Sequence, residues 1–291
     1  GFALLVVLYW WHADLYIVDR NVSAITPLQA VALSAALLVA GWIVYDQLCK
    51  RLGFAHERVL AVALIGLLTA AAWGLSHVFS GRAMYIQIGA MLGTMMAANV
   101  LFVIIPSQRK LVEAKARGEP PDPVYGMRGK QRSVHNNYFT LPVLLTMISN
   151  HYPMTFAHPR AWLVLACLLL LAAYVRHFFN LRHRGRSAWS IPLLAAAGAL
   201  ALAVVIAPAQ PVVQGTVAFR DVQPIIAERC ATCHAEHPRW EGIASPPKGI
   251  VLETAAQIVA NAAAIREQAV MSRAMPLGNV TQMTDVERAR I

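Results

Sequence analysis

The sequence predicts an all-α fold: a polytopic transmembrane helix bundle followed by a small helical domain. Three observations predict it. Of 291 residues, 57% are hydrophobic and only 14% charged, far from a soluble globular average. Apolar stretches long enough to cross a bilayer recur through the first two thirds of the chain. The last third changes character, with charges of both signs and the pentapeptide Cys230-Ala231-Thr232-Cys233-His234.

The elements follow in order. Residues 1–11 read as the end of one membrane helix, and full spans are expected near 28–49, 58–79, 83–105, 134–150, 160–181 and 190–207, about seven helices in all. Gly89, Gly93 and Ala97 in the third full span repeat at four-residue spacing, which lets helices approach closely. The segment 106–133 holds Pro106, Gly118, Pro120, Pro121, Pro123 and Gly126 and is expected to be a solvated connector, not a continuous helix. Residues 1–207 are thus expected to form an integral membrane domain, 208–218 a Pro/Val linker, and 219–291 the small domain. That domain opens with a helix over 221–230, turns at Ser245-Pro246-Pro247, and continues in a helix from about Thr254 to Ser272.

The chain starts at Gly1 inside an apolar run. It ends in Thr284–Ile291, where Thr284 is an N-cap with Asp285 and Glu287 in the first turn. Both ends are expected to be truncated.

Charge reports topology. Residues 1–210 carry 17 basic and 7 acidic side chains, and residues 211–291 carry 8 of each. The net +10 therefore belongs to the membrane part, which argues against nucleic-acid binding and for the positive-inside rule. The segments 50–58, 106–133 and 182–188 hold 13 Lys and Arg, against Arg20, Arg82 and Arg160 in the alternate set. The basic set is expected in the cytoplasm of a bacterium, with the C-terminal domain on the periplasmic side of the inner membrane.

Cys-x-x-Cys-His is the attachment pattern of a c-type haem. Two thiols bond the macrocycle, and the His offers an axial nitrogen to iron. A zinc site would need further ligands, and only His237 lies near. A small class-I-like cytochrome c domain is therefore expected over 219–291, with Cys230, Cys233 and His234 holding covalent haem c. The sixth ligand is expected from Met275, because Pro276 disfavours helix there and leaves the thioether on a loop. Met271 and Met283 are the other candidates. Cys49 and Cys167 are expected to be buried and structural.

Ionisable groups inside spans are costly and point to function. His77 and His151 are expected at one depth of the bundle, near its outer face. Arg82 and Asn150 are expected at that outer level, while His135 and His177 are expected near the inner face with Asn136, Asn137 and Arg176 beside them, and Asn99 within its span. Histidines facing each other across neighbouring helices could ligate a further haem b or metal. The alternative is that they cap helices or snorkel.

These stretches carry a resemblance. Ser80–Ala90, Gln131–Tyr138, Ile148–Pro153 and Arg176–His183, with Cys230–His234 and Ala274–Asn279 in the tail, resemble the membrane-bound bacterial urate oxidase (urate hydroxylase) family, which joins a membrane domain to a C-terminal cytochrome c. The resemblance covers nearly the whole chain. The family's first membrane helix with its following extramembrane segment is absent, as is the end of the last cytochrome helix. The resemblance implies oxidation of urate to 5-hydroxyisourate in purine degradation. Electrons would leave through haem c and iron to an external acceptor such as a soluble cytochrome or terminal oxidase. A urate anion would want Arg82 or Arg176 as a bidentate partner, and a nearby His as proton acceptor. A competing reading is an electron-transfer subunit with no substrate chemistry of its own. A transporter with a fused redox sensor ranks last, because inverted repeats are not evident.

Overall fold

A computed structural model describes residues 5–207 and 217–291. Among them every regular element is helical, with no strand. After short turns at Leu5–Trp10 and Ala13–Tyr16, the long helices are α1 (Pro27–Leu52), α2 (Glu57–Leu75), α3 (Gly81–Ala116, including a π-helical turn at Val100–Ile104), α4 (Pro123–Ile148), α5 (Ala161–His183) and α6 (Ser190–Ile206).

Local chemistry sets the ends. Thr26 and Gln29 form a reciprocal capping box, Pro27 takes the first helical position, and Lys50 and Arg51 fill the last turn of α1, each favoured where it stands. Asp122 caps α4 by accepting the Val124 N–H, with Pro123 at the first position.

The expected connector over 106–133 is corrected to the six residues 117–122. Pro106 cannot donate to a carbonyl one turn back, but the π turn at Val100–Ile104 precedes it and the helix passes through to Ala116. Gly118, at φ +72, ends α3. Gly118, Pro120, Pro121 and Pro123 punctuate the two helix ends, whereas Pro106 and Gly126 lie within helices.

Helices α1, α2, α3 and α5 are long and apolar enough to cross a membrane, by length and composition. Of the other two expected spans, α6 is 17 residues long, and α4 does not meet the same measure because it carries the polar run His135-Asn136-Asn137-Tyr138 and basic residues before it.

Helix α3 is the hub, packing on α1, α2, α4 and α5, while α6 lies against α5. The core joins Tyr45, Leu60, Met84, Tyr85, Ile88, Leu92 and Leu165, all essentially buried. The small-residue reading holds at Gly89 alone. A Cβ there would lie 2.0 Å from Thr146 Oγ1 on α4, whereas one at Gly93 would meet nothing within 4 Å.

The C-terminal segment contains α7 (Phe219–Arg229), α8 (Ala255–Ala260), further helical turns through Met271, and α9 (Asp285–Arg290). Ile225, Ile226, Leu252, Ile258, Ile265, Ala269 and Met283 form its own core, with Cys230 packed against it. Most of the expected linker lies outside the described residues. Gly278, at φ +58, touches the bundle: a Cβ there would come within 2.6 Å of the Leu15 carbonyl oxygen.

Candidate functional site

Polar side chains gather in two layers of the bundle, and a third group lies in the C-terminal segment.

The first layer is organised by four consecutive residues of α4. Successive helical side chains point about 100° apart, so His135, Asn136, Asn137 and Tyr138 reach different neighbours. Tyr45 on α1 meets His135 Nδ1 at 2.8 Å. Asn99 on α3 donates to Tyr45 Oη at 3.0 Å and to Asn136 Oδ1 at 2.7 Å. Arg176 on α5 donates through Nε to Asn137 Oδ1 at 2.8 Å, and Tyr138 meets His177 Nδ1 at 2.6 Å.

One turn earlier, Arg132 pairs with Asp46 at 2.7 Å and lies 4.8 Å over the Tyr45 ring. Asn99 Oδ1 and Arg132 Nη1 are buried without a hydrogen-bond partner. Tyr45, Asp46 and Arg132 were not among the expected site residues. Asp46 carried a signal, as a carboxylate inside an apolar span.

The second layer lies at the opposite end, against the C-terminal segment. A cavity of about 660 Å³ is lined there by His77, Arg82, Phe156 and Trp162 of the bundle, and by Ala274, Pro276 and Arg288 of the C-terminal segment, among others. Arg82, half-buried, sits 5.3 Å over the Phe156 ring. His77 Nδ1 lies 2.8 Å from the Trp73 carbonyl. A carbonyl only accepts, so Nδ1 is the donor there and Nε2 is left for another partner.

The six expected residues of the bundle therefore do not share one site. Arg82 and His77 line the cavity; His135, Arg176 and His177 belong to the other layer. His151 is exposed and lines neither. Asn150 beside it donates to Tyr9 Oη. Among the described residues, no group of three or more His, Cys, Asp or Glu is gathered as for a metal ion.

In the C-terminal segment, Cys230 and Cys233 are free thiols. Burial pushes the Cys230 thiol up to about 11, and raises Cys233 as well. His234 Nδ1 donates to the Ile250 carbonyl at 3.0 Å, which fixes the ring and leaves Nε2 free to bind a metal. Met275 is half-buried on the loop after the Met271 turn, while Met283 is 3% exposed within the core. Cys230, Cys233, His234 and Met275 are the groups here that could hold a haem.

The family model described as "Urate oxidase N-terminal" matches residues 1–207. This chain belongs to the urate oxidase N-terminal family. No curated protein and no solved structure matches it. The urate oxidase N-terminal match spans both polar layers and every bundle residue that lines the cavity. Residues 208–291 lie outside it.

Proposed function

We propose that the protein is a membrane-bound urate oxidase, converting urate to 5-hydroxyisourate and releasing electrons through haem c held by Cys230, Cys233, His234 and Met275. The observation that carries this reading is the shared cavity. Its bundle side offers Arg82, His77 and aromatic rings. Its other side is the loop that bears Met275.

Urate is a planar anion at neutral pH. Arg82 would bind its anionic edge in fork geometry, and Phe156 beside that guanidinium would stack on the ring. The urate anion and water become neutral 5-hydroxyisourate, one proton and two electrons. His77 accepts a proton at Nε2, the atom its bond to Trp73 leaves free. A haem c held by Cys230, Cys233, His234 and Met275 would supply one-electron transfer to an external acceptor, such as a soluble cytochrome or terminal oxidase. The C-terminal segment would then lie on the periplasmic side of the bacterial inner membrane, with the bundle in the bilayer.

The test is urate-dependent reduction of haem c in membranes containing the protein. Reduction that follows added urate supports the reading. A haem that dithionite reduces and urate does not would leave the protein an electron-transfer subunit without substrate chemistry.

A further inference from the structure

The loop from Arg273 to Gln282 is short, lacks a regular helix of its own beyond the turn Leu277–Asn279, and must still hold one thioether in place. Hydrogen bonds from one buried cation brace it. Arg288, on α9, is 7% exposed. Its Nη1 donates to the Met275 carbonyl at 2.7 Å and to the Ala269 carbonyl. Its Nη2 lies 3.3 Å from Asn279 Oδ1. Asn279 in turn accepts from the Met283 N–H at 3.1 Å and donates to the Met283 carbonyl at 3.1 Å.

One guanidinium thus joins the preceding helical turn, the backbone of Met275 and the far side of the loop. Its planar fork can do this with fixed geometry, and a lysine ammonium cannot. Burying an arginine is costly unless its N–H groups are used, and here the Met275 and Ala269 carbonyls and the Asn279 side chain take them. The acidic residues of α9 do not account for its position: Glu287 pairs with Arg229 at 2.9 Å and Asp285 with Arg273 at 3.0 Å.

We propose that Arg288 is a positioning residue that fixes the Met275 loop, so that the Met275 thioether is held at the iron and the haem potential stays high. This rests on the reading of Met275 as a haem ligand. It adds a residue outside the attachment motif, on a helix the motif does not mention.

The full chain in membranes or detergent gives the test, with covalent haem, the sulfur-to-iron absorption of the oxidised protein and the midpoint potential as readouts. Arg288→Ala should keep covalent haem, because Cys230 and Cys233 are untouched. It should weaken the sulfur-to-iron band and lower the potential, shifting the oxidised-to-reduced ratio at fixed ambient potential roughly tenfold or more. Arg288→Lys should give an intermediate band and potential, and it carries the test if Arg288→Ala does not accumulate. An unchanged band and potential in either variant would overturn the positioning role while leaving Met275 as ligand. A parent protein with covalent haem but no sulfur-to-iron band would instead overturn the ligand reading itself.

Discussion

Asp46 on α1 and Arg132 on α4 form a buried ion pair at 2.7 Å, with the arginine side chain 4% and the aspartate 11% exposed. Residues 86 positions apart are thereby locked in one register, and the pair abuts the Tyr45–His135–Asn99 network. The two sides are not equivalent. Asp46 has a second partner, Lys50, at 2.6 Å. Arg132 has one unpartnered nitrogen already and depends on Asp46 for its counter-charge.

Asp46→Asn should therefore destabilise more than Arg132→Met. Leaving a buried charge unpaired costs on the order of 3–5 kcal/mol, whereas Arg132→Met leaves Asp46 its bond to Lys50. The double variant Asp46→Asn/Arg132→Met should recover much of the loss. Thermal unfolding in detergent reads all three, and equal losses in the two single variants would contradict the asymmetry.

Gly89→Ala and Gly93→Ala should behave oppositely although both glycines lie on one helix at four-residue spacing. A methyl at Gly89 would overlap Thr146 Oγ1, and overpacking of this kind costs about 1–3 kcal/mol. At Gly93 the space is open, so alanine should be neutral or stabilise by up to about 1 kcal/mol through helix propensity. Thr146→Ser should not relieve Gly89→Ala, because it retains the hydroxyl. Thr146→Ala should relieve it only in part, because the Thr146 Cβ would still lie 2.7 Å from the added methyl.

This pair of glycines also marks what could be read from sequence. Apolar length revealed the helices α1, α2, α3 and α5, since spans and periodicity are properties of single segments. Which glycine is a contact depends on the neighbour, and the sequence does not name neighbours. The stretch 106–133 misled for a similar reason: proline and glycine signal helix ends, and their crowding suggested one long loop, when Gly118 to Pro123 mark two ends six residues apart and Pro106 and Gly126 sit inside helices. Arg132 was hidden inside that stretch. The polar run His135–Tyr138 was visible as unusual, but its fan of partners on α1, α3 and α5 needed the packing. His77 and Arg82 were both visible. Their cavity was not, because its other wall comes from residues almost two hundred positions later.

Replacing Cys230 and Cys233 with Ala should abolish covalent haem, since both thioether bonds are lost. Haem-stained gels of the full-length protein read this directly, and a persisting band at its mass would refute the attachment site. His234→Ala should keep the covalent bonds and change the iron's spectrum, because only the axial nitrogen is removed.

Met275→Ala should remove the sulfur-to-iron absorption and lower the potential. Met271→Ala should leave both unchanged, because Met271 closes the preceding helical turn. Met283→Ala should instead lower stability by about 2–5 kcal/mol, the usual range for a truncated core side chain. If Met271→Ala loses the band and Met275→Ala keeps it, the ligand is the other methionine.

Arg82 and His77 share the cavity, His151 does not, and His135 and His177 lie in the other layer with their Nδ1 atoms held by tyrosines. Arg82→Gln should stop urate-driven reduction of haem c, because the substrate's counter-charge is lost. His77→Gln keeps a polar side chain but no base, and should slow turnover by roughly 10²–10⁴-fold, the usual worth of a positioned general base. His151→Gln should retain turnover per haem. Dithionite should still reduce the haem in all three, since the ligands proposed for it are in the C-terminal segment. His135→Ala and His177→Ala separate the two layers: if the first layer is structural, they lower expression or thermal stability while surviving protein keeps its turnover. Normal urate turnover in both Arg82→Gln and His77→Gln would remove the cavity as the substrate site, whatever the haem measurements show.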